Sequence, residues 1–205
     1  MSTIGLVILA AGASRRMGTP KQLLHYQGHS LLRHSAKEAV TSECQPIVVV
    51  LGAYAGQIQP EISQLPVQVV ENLQWALGMS ASIRAGIKAL DALSQNLEAV
   101  VIVLCDQPFV SADIINQLVR AYYSTRKPII ASEYAGTLGV PALFNKSLFS
   151  ELAALRGSEG ARQVIKKHLQ QVLGISFPAG AIDIDTPNDY QFLQILALLN
   201  EQRIR

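Results

Sequence analysis

The stretch Ile4-Gly5-Leu6-Val7-Ile8-Leu9-Ala10 runs directly into Ala11-Gly12-Ala13-Ser14-Arg15-Arg16-Met17-Gly18-Thr19-Pro20-Lys21. An apolar run of this length, rich in branched residues, is the pattern of a parallel strand buried on both faces. The small residues after it carry three cations, Arg15, Arg16 and Lys21, with no acid among them. Gly12 and Gly18 allow sharp turns and a close approach of backbone to ligand, and the cations match several phosphate oxygens. A buried strand that delivers such a loop predicts a polyphosphate site, with a nucleotide as its ligand.

Spacing excludes two familiar phosphate loops. A Walker loop has four residues between its glycines and lysine directly after the second; here five residues separate Gly12 from Gly18, and Thr19-Pro20 precede Lys21. The dinucleotide fingerprint needs glycines where Ser14 and Met17 stand. Pro20 fits poorly in a helix that begins straight after Gly12, so an extended loop is expected.

Similar apolar runs recur at residues 46–51, 67–70 and 99–104, separated by helical periodicity over 30–41, 54–63, 80–93 and 112–124. This alternation predicts parallel βαβ units in a three-layer α/β/α sandwich with a Rossmann-like, mostly parallel sheet. Beyond residue 124 the pattern shifts to strands at 128–131 and 140–144 and short helices at 148–155 and 161–169, which predicts an antiparallel element. Asp185-Thr186-Pro187 then opens a last helix, 188 to about 203, with Asp or Thr as N-cap. The 205 residues read as a single domain, 1–205, which by general scaling buries roughly 70% of its unfolded surface.

Composition narrows the function classes. A formal charge of +2 with 16% charged residues provides no global field for nucleic acid. Cys44 and Cys105 lie in or beside apolar segments, as buried thiols in a reducing cytoplasm do. No apolar run is long enough to span a membrane, and the start lacks a basic leader, so a cytoplasmic location is expected. His25, His29, His34 and His168 show no zinc spacing.

Ligands of open parallel sheets lie beyond the carboxyl ends of the strands. Three polar clusters sit there: the first loop, Cys105-Asp106-Gln107-Pro108-Phe109, and Asp183-Ile184-Asp185-Thr186-Pro187. Asp106 and Asp185 are candidate ligands of a magnesium ion, which takes one or two carboxylates plus phosphates and water. A turn role for Asp106 and a capping role for Asp185 are the competing readings. Asp183, two residues earlier in an extended segment, is expected to face the other way. The Trp75-Ala76-Leu77-Gly78-Met79-Ser80-Ala81-Ser82 segment precedes a helix whose free donors could take ribose, phosphate or pterin, with Asn72 placed to reach a ribose. An ordinary Ser-capped helix with Met79 as packing is the competing reading.

Taken together, Leu9-Ala10-Ala11-Gly12-x-Ser14-x-Arg16-Met17-Gly18-x-x-Lys21, Gly78-Met79-Ser80-x-Ser82, Asp106-Gln107-Pro108, Gly139-x-Pro141-x-x-Phe144 and Asp183-Ile184-Asp185-Thr186-Pro187 resemble the molybdenum cofactor cytidylyltransferases. That group lies in the nucleotidyltransferase superfamily with the guanylyltransferase of the same pathway. The match spans nearly the whole chain in order. It implies that Leu9, Ala10, Ala11 and Gly12 read the base, with Ala-Ala-Gly accompanying CTP and Ala-Gly-Gly the guanylyl enzymes. It further implies that Lys21 contacts phosphates and that Asp106 holds magnesium, for which manganese can substitute. One departure is Gly157-Ser158-Glu159-Gly160-Ala161-Arg162, where Ser158 replaces the family's acid. Gly157, Gly160, Arg162 and Ser82 are candidates for the acceptor side.

The implied reaction is CMP transfer from CTP to the terminal phosphate of molybdenum-molybdopterin, with pyrophosphate released. The nucleophile is already anionic, so cations carry the chemistry: Lys21 at the α-phosphate, Arg15 or Arg16 at the β and γ phosphates, with Arg16 preferred. A molybdoenzyme or its maturation chaperone is the implied recipient of the product. Alternatives are a nucleotidyltransferase using GTP or a sugar phosphate, and a non-catalytic nucleotide-binding or cofactor-binding module.

Overall fold

The computed structural model describes residues 3–203. These run β1 (Thr3–Ala10), β2 (His25–Tyr26), β3 (His29–Ser30), α1 (Leu31–Thr41), β4 (Ile47–Leu51), α2 (Ala55–Ile58), β5 (Gln68–Glu71), α3 (Met79–Leu93), β6 (Leu97–Leu104), α4 (Ala112–Thr125), β7 (Ile129–Tyr134), β8 (Thr137–Asn145), α5 (Phe149–Ala154), α6 (Arg162–Lys167), β9 (Val172–Ser176) and α7 (Pro187–Arg203). Short 3-10 turns lie between them. Among the described residues no helix is long and apolar enough to cross a membrane.

Seven strands form one sheet in the order β5-β4-β1-β6-β8-β7-β9. β1 is flanked by parallel β4 and β6, pairing Val7 with Val48 and with Ile102. Its residues alternate between two cores. Leu6, Ile8 and Ala10 pack with Leu32 and Ala36 of α1, Ile58 of α2, and Ile115 and Leu118 of α4. Val7 and Leu9 pack with Ile83 and Ile87 of α3 and with Leu152, Val164 and Ile165. A sheet buried on both faces explains why β1 reads as a continuous apolar run.

The expected antiparallel element is β8, which pairs antiparallel with both β6 and β7. Edge strand β9, parallel to β7, escaped the sequence reading: Val172-Leu173-Gly174-Ile175-Ser176 is half exposed and interrupted by glycine. The helix expected over 54–63 splits into α2 and a 3-10 turn, Gln59–Ile62, where Pro60 lacks an N–H donor. Also unanticipated is the β2–β3 hairpin, turned by Gln27 and Gly28 at φ of 49° and 77°.

A third, smaller cluster joins the chain's two halves. Met17 of the first loop, Tyr26, Leu31, Ile184 and Leu193 of α7 bury one another. The Ile184 N–H donates to Asp106 O at 2.9 Å, which brings the carboxylate-bearing segment near the C-terminus against the end of β6.

Candidate active site

A cavity of about 570 Å³ opens at the carboxyl ends of β1 and β6. Ligand pockets commonly measure about 300–1,000 Å³. Residues 9–16, Lys21 and Gln22 form one wall, and Trp75, Ala76, Gly78, Met79 and Ser82 a second. Leu104, Cys105 and Asp106 form the floor, and Asp183 and Asp185 close the last side.

The loop after β1 forms no helix, but it is not extended throughout: it turns over residues 15–17, where Ser14 O accepts the N–H groups of Met17 and Gly18, and ends in the 3-10 turn Lys21–Leu23. Gly18 takes φ 77°, which favours glycine, while Ser14 takes φ 50° despite its side chain. Ser14 is held there by its own hydroxyl, which accepts the Lys21 N–H at 3.1 Å and donates to Gln22 Oε1 at 3.3 Å. A Cβ on Gly12 would meet no atom within 4 Å. The protein's own packing therefore does not require glycine there, and Gly12 lines the cavity.

The Lys21 ammonium stands 2.6 Å from Asp106 Oδ2 and 2.8 Å from Asp185 Oδ1. Arg16 Nη2 lies 2.6 Å from Asp185 Oδ2. Burial by itself would depress the lysine; Asp106 foremost, and Asp185, overcome it and hold Lys21 well above the ordinary range. Burial pushes Asp185 up, but Lys21 and Arg16 outweigh it and keep the carboxyl below its usual value. Asp183 is raised, by partial burial and by the charges of Asp185 and Asp106. Burial pushes the Cys105 thiol up to about 12, so this floor residue is neutral and a poor nucleophile.

Asp185 is free for these contacts because it does not cap α7. Thr186 does: its Oγ1 accepts the Asp189 N–H at 3.3 Å, and Asp189 Oδ2 accepts the Thr186 N–H at 2.7 Å. Asp183 corrects the expectation that it faces away. Alternation holds for strands, and residues 182–185 are irregular, so both aspartates line one cavity.

Six other candidate residues stand differently in the structure from what was expected. Asn72 is 6% exposed, donates to Ser82 Oγ at 3.1 Å and accepts the Gln74 N–H at 3.0 Å, so it braces the wall from behind instead of reaching a ribose. Ser80 gives both its hydroxyl and its N–H to Gly157 O, at 2.9 and 3.2 Å, which leaves it no donor for a phosphate. Gly18 and the loop carrying Gly157 and Gly160 lie outside the cavity lining. Gly157 packs on Gly78, and Gly160 faces Met79, whose sulfur would stand 2.7 Å from an added Cβ. Arg162 is exposed and bonds Thr137 Oγ1. Of the acceptor candidates, Ser82 alone reaches the lining.

Gln22 and Asp183 are cavity residues that the sequence did not place in the site, while Trp75 and Met79 belong to the segment offered there for ribose, phosphate or pterin without a role of their own. The signal for Gln22 is a polar residue directly after Lys21, followed by Leu23-Leu24; it is 1% exposed.

Comparison with known proteins bears on this geometry. The sequence profile of the MobA-like NTP transferase domain matches residues 6–172, which include the loop, Lys21 and Asp106. The chain belongs to the MobA-like NTP transferase family. It is a nucleotidyltransferase with a mostly parallel, three-layer fold of that class. The molybdenum cofactor cytidylyltransferase of Escherichia coli is 27% identical over 93% of this chain and 95% of its own. Purine catabolism protein PucB of Bacillus subtilis is 30% identical over 92% and 94%, and nicotine blue oxidoreductase of Paenarthrobacter nicotinovorans 29% over 88% and 91%. A Mycobacterium tuberculosis protein solved in complex with manganese superimposes with a TM-score of 0.76 at 26% identity, covering 94% of this MobA-like chain and 97% of that one.

Proposed function

We propose that this MobA-like enzyme, acting as a single domain of residues 1–205, transfers CMP from CTP to the terminal phosphate of molybdenum-bearing molybdopterin. Pyrophosphate leaves and the cytosine dinucleotide form is made. One observation carries the reading: the cationic loop and two carboxylates from residues 106 and 185 share a single cavity. The Escherichia coli relative supports the substrate pair by its name. Ala11 supports the base, since it lies on the cavity wall in the Ala-Ala-Gly form that goes with CTP by resemblance. Gly52 backs it so closely that a Cβ there would stand 2.8 Å from that of Ala11.

A divalent cation fits the donor set. Asp106 Oδ1 is buried without a hydrogen-bond partner, and the Lys21 ammonium already stands as a cation between Asp106 and Asp185. Among the described residues no cluster of three or more His, Cys, Asp or Glu side chains could hold a metal, so the two aspartates need substrate oxygens to complete a shell. They would hold magnesium, with manganese as substitute. When bound, it neutralises phosphate charge as a Lewis acid.

The chain's own residues do the rest. Released from the aspartates, Lys21 brings its ammonium to the α-phosphate and bridging oxygen, and Arg16, with Arg15 beside it, meets the β and γ phosphates. The attacking phosphate is already anionic, so no general base is needed; the work is to hold two anions in line and to disperse charge on the pyrophosphate. Ser82 faces the acceptor side. The buried thiols Cys44 and Cys105 suit a cytoplasmic setting, where a molybdoenzyme or its maturation chaperone would receive the product.

Replacing Asp106 by Ala should lower pyrophosphate release from CTP plus molybdopterin by about 10²-fold or more, with an unchanged far-UV spectrum. Near-normal turnover would remove the metal assignment. For the base, CTP and GTP are compared in the wild type and in Ala11→Gly; a wild type that uses GTP equally well overturns the cytidylyl reading.

A further inference from the structure

Every backbone carbonyl from residue 10 to residue 14 is engaged by the protein itself. The Gln22 carboxamide donates to Ala10 O at 2.8 Å and to Gly12 O at 2.9 Å. The Ala53 N–H donates to Ala11 O at 3.2 Å, and the Tyr54 hydroxyl to Ala13 O at 3.4 Å. Ser14 O accepts the N–H groups of Met17 and Gly18 at 3.0 and 3.1 Å. The donors show the opposite: among the described residues, the N–H groups of Gly12, Ala13, Ser14 and Arg15 have no acceptor. In a planar trans peptide the N–H points opposite to the preceding carbonyl. With carbonyls 11 to 13 held by Ala53, Gln22 and Tyr54 and carbonyl 14 by the loop's own turn, N–H groups 12 to 15 are left on the other side, in residues that line the cavity. Successive free N–H groups of this kind form an anion-binding concavity.

We propose that Gln22 is the positioning residue of this concavity: by holding two carbonyls on one NH2 group, it keeps the loop's acceptors averted, so a polyphosphate meets donors alone. The proposal rests on the reading that this loop takes the triphosphate. The chemistry singles out glutamine. Two carbonyls demand two donors from one neutral group, which a carboxamide has; glutamate would set acceptor against acceptor, and leucine would supply nothing. Burial of so polar a side chain is costly unless its hydrogen bonds are made, and its remaining oxygen is met by the Ser14 hydroxyl, which in turn holds the Lys21 N–H. The same side chain thus ties the donor loop to the turn that carries Lys21.

The test is calorimetric titration of inorganic tripolyphosphate and of CMP, each in EDTA, into the wild type and Gln22→Leu. Tripolyphosphate should bind the variant about tenfold or more weakly, because unpaired carbonyls can now turn toward the anion. CMP, with one phosphate, should lose much less, so the ratio of the two affinities narrows. A role confined to packing would lower both equally, and equal falls, or no fall, overturn the proposal. If Gln22→Leu does not fold by circular dichroism, Gln22→Met, which keeps the length of the side chain without its donors, is titrated in its place with the same expectation, and equal falls, or no fall, overturn the proposal. A wild type that binds no tripolyphosphate removes the nucleotide reading of the loop itself, and the proposal with it. An enzyme that prefers GTP or another acceptor would leave these titrations as expected.

Discussion

At the scale of the residue, Lys21 governs the site. It is the internal cation of two carboxylates and, in the proposed function, the group a nucleotide would draw away from them. Without nucleotide, Lys21→Met should therefore bind manganese about tenfold or more tightly than the wild type, as read by electron paramagnetic resonance of the free ion. Equal affinity would show that lysine and metal do not compete. Linkage gives each partner a pH window. The raised Lys21 contributes its full stabilisation below the ordinary value of 10.5 and loses it as pH climbs through the folded value. The lowered Asp185 contributes above 3.8 and loses its share as pH falls through a folded value beneath that. Urea unfolding across about pH 2 to 5 should accordingly show a shallower acid loss for Asp185→Asn than for the wild type; parallel curves would mean that Asp185 is unpaired in solution. Arg16, Lys21, Asp106 and Asp185 were visible in the sequence because charge after a buried strand is conspicuous. Gln22 was not, since a neutral amide beside two leucines carries no local mark of the carbonyls it reaches.

At the scale of the element, helix-to-sheet spacing sets where the cavity walls stand. Gly86 of α3 lies over β1, where a Cβ would stand 2.5 Å from Val7 Cγ1 and 3.2 Å from Val50 Cγ2. Alanine is the better helix former by about 1 kcal/mol, yet both valines sit on rigid strands and cannot retreat. Gly86→Ala is thus expected to cost about 1–3 kcal/mol net of that gain, measured by chemical denaturation; a stabilised variant would show that α3 shifts freely on the sheet. Repeating periodicity made β1, β4, β6, α1, α3 and α4 legible to within a few residues. β9 was not, because an edge strand depends on a partner about forty residues back along the chain; the β2–β3 hairpin was not, because two-residue strands are too short to show an alternating pattern. The N-terminal end of α3 illustrates the same limit: Ser80 looked like an anion contact, but the Gly157 loop took both of its donors.

At the scale of the whole molecule, the site exists because distant parts of the chain are closed upon each other. Leu193 of α7 is fully buried against Met17, Tyr26, Leu31 and Ile184, and through them the C-terminal helix supports both the first loop and the Asp185 segment. Leu193→Ala should cost about 2–5 kcal/mol of stability and, under conditions where it remains folded, raise the KM for nucleotide with less effect on kcat. An unchanged KM would show that α7 is not coupled to the loop. Three features were written in the sequence alone: the α/β class, the cationic character of the loop after β1, and the two carboxylates Asp106, at the end of β6, and Asp185, ahead of the last helix. Each depends on local composition and period. Which carboxylates meet, that Asp183 joins them, that Thr186 and not Asp185 caps α7, and that Gln22 averts the loop's carbonyls were decided by tertiary packing. These depend on contacts between residues as far apart as 21 and 185, whose separation by chain carries no information on their distance in space.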